Sequence, residues 1–147
     1  MVESGHREMR MDTTGIDGIS HITFIVNDLD KTSHMLEYIF DAEEVYTSGD
    51  EIHSYSKEKY FSIDGIWIAI MQGESLPEKT YNHVAFKISE TDHDIYLQRI
   101  NTLGLEIKTD RDRIHGEGRS IYFYDYDNHL FELHTGSLED RLREYSD

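Results

Sequence analysis

The sequence predicts an α+β fold built from two βαβββ repeats. Two strand-like segments, Ile19-Ser-His-Ile-Thr-Phe-Ile-Val and Tyr81-Asn-His-Val-Ala-Phe, carry a histidine at the same position, and these histidines are 62 residues apart (83 − 21). Each segment is followed by a helical pattern and then by three further strand-like runs. A four-stranded sheet with one helix cannot cover both of its faces. The two units should therefore pack together, and a second chain should complete the structure.

The first repeat spans about residues 18–73. Its helix is predicted at residues 29–40, because Asn27 and Asp28 can cap its start and apolar residues recur on one side. Gly65 is expected in a hairpin turn. The other predicted strands of this repeat cover residues 42–47, 53–63 and 66–72.

The second repeat, at about residues 80–135, follows a linker at about 74–79 that contains the only proline, Pro77. Its helix is predicted at about 91–103, with Gly104 as the stop signal. Asp127 and Asn128 should form a turn. The remaining strands are predicted at residues 105–109, 120–125 and 130–134, and residues 136–147 are expected to form a C-terminal tail.

Composition excludes several classes of function. The chain has 147 residues, which suits a single domain over residues 16–147, and it lacks cysteine, so disulfides and cysteine-based sites are excluded. Thirty acidic against 14 basic residues give a net charge of −16, which argues against nucleic acid and membrane partners. Residues 1–15 contain no apolar signal segment and read as a disordered extension, so a cytoplasmic location is expected.

Three residues on the predicted strands suggest a metal site: His21, His83 and Glu132. A step of 49 residues leads from His83 to Glu132, whereas the same step from His21 leads to Ile70, so only the second repeat supplies a carboxylate. Two imidazoles and one carboxylate leave coordination positions open for substrate and water. This ligand set suits Mn²⁺, Fe²⁺, Zn²⁺, Co²⁺ or Ni²⁺ and does not choose among them.

The other histidines carry weaker expectations. His134 should share a face of its strand with Glu132 and could support it, whereas His129 should point away. The remaining five are expected at the surface: His6, His34, His53, His93 and His115.

Glu58 lies in a predicted strand between two lysines, Lys57 and Lys59, which should point to the opposite face. It is either an ordinary exposed strand residue or a general base that faces the cleft. Residues 111–119 concentrate basic side chains beside Gly116 and Gly118, which indicates either an anion-binding loop or a solvated hairpin.

These segments closely resemble the fosfomycin resistance proteins of the vicinal oxygen chelate (glyoxalase-like) superfamily. The resemblance is carried by the two histidine strands, by Gly-Glu-Gly-Arg-Ser-Ile-Tyr-Phe-Tyr-Asp and by Asn-His-Leu-Phe-Glu-Leu-His-Thr-Gly, and it is strongest to the FosX branch. It implies a Mn²⁺-dependent enzyme that hydrolyses the epoxide of fosfomycin. It also implies a domain-swapped homodimer in which His21 comes from one subunit and His83 with Glu132 from the other.

The same resemblance implies roles for individual residues. His21, His83 and Glu132 match the metal ligands, and Glu58 matches the general base of the FosX branch. Thr23 would donate a hydrogen bond to the emerging alkoxide. The remaining matched positions contact substrate in the family: Trp67, Tyr81, Ser120, Tyr122 and Arg141.

The chain departs from the family in one loop. The thiol-transferring branch has a lysine and a serine where this chain has approximately Asp112 and Gly116. Arg111, Arg113 and Arg119 remain open as replacements for that charge, and Arg119 is included among the predicted substrate contacts.

Other functions of the same fold remain open. They are a thiol transferase that acts on fosfomycin, a dioxygenase or isomerase, and a metal-free drug-binding protein. The presence of all three predicted metal ligands argues against the last of these.

Overall fold

The computed structural model describes residues 14–108 and 118–146 and contains both predicted repeats. The first repeat forms a four-stranded sheet in the order β1-β4-β3-β2, in which β1 and β4 are parallel and the other pairs antiparallel. Its elements are β1 (Ile22–Val26), α1 (Leu29–Phe40), β2 (Glu43–Thr47), β3 (Glu58–Ile63) and β4 (Ile66–Gln72).

The second repeat forms a smaller sheet in the order β5-β7-β6, again with a parallel first pair. A 3₁₀ turn at Glu90–Asp92 leads directly into its helix. The elements of this part are β5 (His83–Lys87), α2 (His93–Thr102), β6 (Ser120–Tyr124), β7 (Leu130–His134) and a final helix α3 (Leu138–Ser146).

Local sequence signals fix the ends of several elements. The carboxylate of Asp28 accepts a hydrogen bond from the backbone N–H of Lys31 at 3.0 Å, which caps α1 as predicted. Asp64 and Gly65 both have positive φ, 49° and 86°, as the tight turn between β3 and β4 requires. Gly104, with φ 69°, follows the end of α2, so the predicted stop signal is confirmed.

Two sequence-based predictions of secondary structure are wrong. Residues 53–57 do not extend β3, because the pairing with β2 ends at Thr47 and Lys59 and the chain then turns through Gly49. The predicted strand at 105–109 is reduced to one bridge, Ile107 to Phe123, with Thr109 outside the described residues. A feature that the sequence-based predictions did not include is the helix α3 within the predicted C-terminal tail; its start is capped by the Ser137 hydroxyl, which accepts from the N–H of Asp140.

One apolar core lies between the helices and one face of each sheet. It joins the two repeats through aromatic contacts, with ring centroids 5.0 Å apart for Phe40 and Phe86 and 5.7 Å apart for Phe40 and Phe131. The side chains that alternate to the other side of each sheet form what we call the first and second outer faces. Thr23, Glu58 and Trp67 lie on the first outer face, and Glu132 and Tyr122 lie on the second.

A buried carboxylate also ties the repeats together. Asp127 is only 1% exposed, and it accepts hydrogen bonds from the N–H of Asn27, which follows β1, and from the hydroxyl of Ser75 in the linker. Asn128 adds a bond from its side-chain amide to the carbonyl of Leu76. The β6–β7 turn of the second repeat thus holds the end of the first strand and the linker in place.

Within residues 14–108 and 118–146, none of the helices has the length and apolar character that crossing a bilayer requires.

Candidate active site

The second outer face brings His83 and Glu132 into direct contact. Ala85 on β5, Glu132 on β7 and Tyr122 on β6 are neighbours in register and form one row across the sheet. His83 begins β5 one row away, and its Nε2 lies 3.0 Å from Oε1 of Glu132. The parallel pairing of β5 with β7 therefore delivers two of the three predicted metal ligands to one point.

A hydrogen bond to the backbone fixes the orientation of the His83 ring. Its Nδ1 lies 2.7 Å from the carbonyl oxygen of Tyr81, and because a carbonyl can only accept, Nδ1 carries a proton and donates. A neutral His83 therefore presents the lone pair of Nε2 to a carboxylate oxygen. Two such acceptors 3.0 Å apart require a proton or a cation between them. This donor set fits a divalent metal ion.

Glu132 is oriented by two further side chains of the same face. The Ser120 hydroxyl donates to Oε2 of Glu132 at 2.6 Å and lies 2.6 Å from Nδ1 of His134. Because the Ser120 hydroxyl donates its only proton to the Glu132 carboxylate, Nδ1 of His134 must be the donor to the serine oxygen. The prediction that His134 shares a face with Glu132 and supports it is confirmed. Oε2 of Glu132 is thus engaged in a hydrogen bond, and Oε1 of the same carboxylate faces Nε2 of His83.

The first outer face carries the remaining predicted catalytic residues. His21 lies just before β1, 4.2 Å from Trp67 between ring centroids, and its Nδ1 is 3.1 Å from the Ser20 hydroxyl. Thr23 follows two residues later and points to the same side. Glu58 begins β3 on this face, opposite Met71. His21, Thr23, Glu58 and Trp67 therefore share one surface.

Glu58 is a buried carboxylate rather than an ordinary exposed strand residue. It is 5% exposed, and its backbone N–H donates to the Ser48 hydroxyl at 3.0 Å. Lys59 points to the opposite face and contacts Asp30 and Glu44, which confirms the predicted alternation for that lysine. No counter-ion of Glu58 is found among the residues that the structure describes.

The pKa of the Tyr60 phenol is affected by the charge of the neighbouring Glu58. Burial raises the pKa of the Tyr60 phenol, and the negative charge of Glu58 together with a hydrogen bond to it raises that pKa further. The Tyr60 ring lies between those of Tyr46 and Trp67, at 4.9 and 5.1 Å between centroids. The phenol therefore stays protonated as a donor beside the carboxylate. Sequence reasoning missed Tyr60, although its position two residues after Glu58 on a strand was a usable signal.

One chain does not assemble the predicted metal triad. Over the two described stretches, no three histidine, cysteine, aspartate or glutamate side chains are placed to hold a metal ion. His21 directly precedes the first strand of the four-stranded sheet, whereas His83 and Glu132 lie on strands of the three-stranded one. The contribution of His21 from another subunit stays a prediction.

Two predicted substrate contacts lie apart from this group. The Arg119 side chain turns to α2, where it donates to Nδ1 of His93 at 2.9 Å and lies 3.6 Å from Asp94. His93 is therefore only 8% exposed, and the expectation that it lies at the surface is wrong. Arg141 lies on α3, with its guanidinium 6.0 Å from the Tyr145 ring.

Of the other predicted positions, some lie at the site and others lie elsewhere on the protein. Tyr81 and Tyr122 meet at the second outer face through their hydroxyls, 3.1 Å apart. His34 and His53 are exposed as expected, and His129 bonds Asp125 rather than Glu132. Several predictions fall outside the described residues: the extension at residues 1–13, His6, Arg111, Asp112, Arg113, His115 and Gly116.

Comparison with known proteins identifies the family. A model of the Glyoxalase/Bleomycin resistance protein/Dioxygenase superfamily matches residues 18–133. The fosfomycin resistance protein FosX of Listeria innocua is 64% identical over 130 residues, which cover 88% of this chain and 98% of that protein. The chain belongs to this superfamily and, within it, to the FosX proteins. The FosX of Mesorhizobium japonicum is 58% identical, whereas the metallothiol transferase FosB of Bacillus licheniformis is 35% identical.

Solved FosX structures share the fold. The crystal structure of Listeria monocytogenes FosX with Mn(II) and sulfate has a TM-score of 0.82 and 57% identity, and it covers 89% of this chain and 99% of its own. A glutamate-to-glutamine variant of that FosX, solved with Mn(II) and 1S,2S-dihydroxypropylphosphonic acid, also gives a TM-score of 0.82, at 58% identity. These matches confirm the predicted glyoxalase-like fold class.

Proposed function

We propose that this protein is a Mn²⁺-dependent hydrolase that opens the epoxide ring of fosfomycin with water and so confers resistance to the drug. The FosX relatives carry that resistance in their names, and one of their structures holds Mn(II) with a vicinal diol phosphonate. Such a diol equals the epoxide plus one water. The observation in this chain that carries the proposal is the 3.0 Å contact between His83 Nε2 and Glu132 Oε1, in a fold that also buries Glu58.

The ion would be held by His83, Glu132 and His21 of a second chain in a homodimer. His83 is anchored through Nδ1 and Glu132 through Oε2, so each offers its other donor atom. His21 is exposed and lies beside Trp67. Other divalent transition ions remain compatible with this donor set. A cytoplasmic location accords with the absence of cysteine.

When bound, the ion would neutralise negative charge on the phosphonate and oxirane oxygens. Glu58 takes a proton from water, and the water oxygen forms a bond to the epoxide carbon that bears the phosphonate, because inversion at that carbon gives the 1S,2S diol found with the FosX relative. The bond from that carbon to the ring oxygen breaks at the same time. Thr23 donates a hydrogen bond to the ring oxygen as it becomes an alkoxide, which then takes up a proton to give the diol.

Burial of Glu58 serves this role in two ways. At 5% exposure the carboxylate is shielded from bulk water, and the phenol of Tyr60 gives it one fixed hydrogen bond. The second oxygen of the carboxylate can then receive the proton of a single oriented water. We propose that Tyr60 acts here as a positioning residue.

The test is phosphorus NMR of purified protein with Mn²⁺ and fosfomycin, run with and without glutathione. Conversion to the dihydroxypropylphosphonate without thiol supports the proposal, and chelation of the metal should abolish it. Product that forms only with thiol, and carries it, would assign the chain to thiol transfer instead. Tight drug binding without turnover would indicate a binding protein.

A further inference from the structure

The linker between the repeats ends in a short turn that leads directly into β5. The hydroxyl of Thr80 accepts a hydrogen bond from the backbone N–H of Asn82 at 3.2 Å. Threonine hydroxyls can bond the backbone two residues further along the chain, and such a bond closes a tight turn. The turn comprises residues 80–82, and His83 is the next residue. Its geometry therefore decides how the backbone enters a proposed metal ligand.

The peptide group between Tyr81 and Asn82 is hydrogen-bonded on both of its sides. Its N–H donates to the Thr80 hydroxyl, and its carbonyl accepts from Nδ1 of His83 at 2.7 Å. A trans peptide group is planar, with its N–H and C=O pointing in opposite directions. The bond on the N–H side therefore restricts rotation of the whole group. It also restricts the direction of the carbonyl that orients the imidazole of His83.

Thr80 is itself held by a side chain of β6. The hydroxyl of Tyr124, a residue that is only 7% exposed, donates to the carbonyl of Thr80 at 3.2 Å. Tyr124 lies opposite Leu130 on β7, and Leu130 lies opposite His83 on β5. These three residues therefore share one row of the second outer face. The Tyr124 side chain reaches across the middle strand of this sheet, and its hydroxyl fixes the first peptide group of the turn.

We propose that Thr80 and Tyr124 are positioning residues that raise the Mn²⁺ affinity of His83 through the backbone. This inference rests on the proposed function, because it concerns the metal ion that the proposed reaction uses. Neither side chain is a proposed ligand. Tyr124 fixes the peptide group that begins the turn, and Thr80 fixes the next one. The carbonyl of Tyr81 then holds the imidazole with Nε2 toward Glu132, and groups that orient a ligand in this way contribute to metal affinity.

The test is a Mn²⁺ titration of the full-length protein, followed by electron paramagnetic resonance. Thr80→Val keeps the shape of the side chain but loses the acceptor, and Tyr124→Phe loses only the hydroxyl. Each should weaken Mn²⁺ binding about 3- to 10-fold, which corresponds to one hydrogen bond. Thr80→Ser retains the hydroxyl and should bind Mn²⁺ as the wild type does.

Thr47→Val is the matched control. The Thr47 hydroxyl accepts from the N–H of Gly49, also two residues further along and also at 3.2 Å, but it lies in the first repeat. Its loss should leave Mn²⁺ affinity unchanged. Co²⁺ loaded into the same variants reports the geometry of the site, because its visible absorption depends on the directions of its ligands. The absorption should shift in Thr80→Val and Tyr124→Phe and match the wild type in Thr80→Ser and Thr47→Val.

Unchanged Mn²⁺ affinity in Thr80→Val and Tyr124→Phe would overturn the assignment, and so would an equal loss of affinity in Thr47→Val or Thr80→Ser. Thermal unfolding of the metal-free variants separates stability from positioning: a lowered Tm at unchanged Mn²⁺ affinity would show that the two side chains act only in folding. Turnover of fosfomycin is measured separately. A wild type that shows the expected Mn²⁺ affinities but leaves fosfomycin intact contradicts the proposed reaction and supports the positioning roles.

Discussion

Replacing Glu58 by glutamine should remove catalysis while leaving the fold and the metal site intact. Glutamine has nearly the same shape, so it can occupy the same buried position, with 5% exposure and its N–H on Ser48. Its amide oxygen can still accept from Tyr60, but the side chain cannot take a proton from water. Removal of a general base costs about 10²–10⁴ in rate, which corresponds to roughly 3–5 kcal/mol of transition-state stabilisation.

The assay is the rate of diol formation at saturating Mn²⁺, followed by phosphorus NMR, with Mn²⁺ affinity measured by electron paramagnetic resonance. Glu44→Gln is the matched control, because Glu44 lies opposite Phe61 on the core side of the same sheet and pairs with Lys59. It should be as active as the wild type. Full activity of Glu58→Gln would refute the general-base assignment, and loss of Mn²⁺ affinity in that variant would show that Glu58 belongs to the metal site instead.

Three further predictions follow from the site. Ser120→Ala should weaken Mn²⁺ binding by about 10- to 100-fold, because Oε2 of Glu132 loses its donor; unchanged affinity in a metal titration would contradict this. When inactive His21→Ala and Glu132→Ala chains are mixed and refolded together, about a quarter of wild-type activity should return, since half of the dimers then hold one intact site out of two. No recovery of activity would indicate that all ligands of one metal ion come from a single chain. The pKa of the Tyr60 phenol is raised by burial and by Glu58, so the protonated phenol contributes fully to stability below about pH 10, and this contribution is lost as pH rises through the raised pKa. Tyr60→Phe should therefore flatten the fall in unfolding free energy at alkaline pH. An identical pH profile of the variant and the wild type would contradict the assignment.

The repeat architecture could be predicted because its signals are local. The helix at residues 29–40 is confirmed to the residue, since its cap at Asp28 and its apolar stripe lie within thirteen consecutive positions. The strand at 66–72 is confirmed in the same way, because an apolar run follows directly on a turn whose two residues tolerate positive φ. The metal ligands could be proposed because the repeat itself equates the positions of His21 and His83.

The remaining features depend on packing that no short stretch of sequence records. His93 is buried by its contact with Arg119, 26 positions later in the chain, and the sequence around His93 does not predict that contact. Residues 105–108 align with β6 only through one bridge, Ile107 to Phe123, and no short stretch of sequence encodes that pairing. The helix α3 has no buried residue, so its sequence reads as a polar tail.

The carboxylate of Asp127 has a consequence for how the chain folds. It accepts a hydrogen bond from a backbone N–H at the end of the first strand, although it belongs to a turn in the second repeat, and it is almost fully shielded from solvent. Either half alone would leave a donor or a buried charge without its partner, and each such loss costs about 1–3 kcal/mol. We therefore expect the two repeats to unfold as one cooperative unit, and neither to fold alone despite their similar topology.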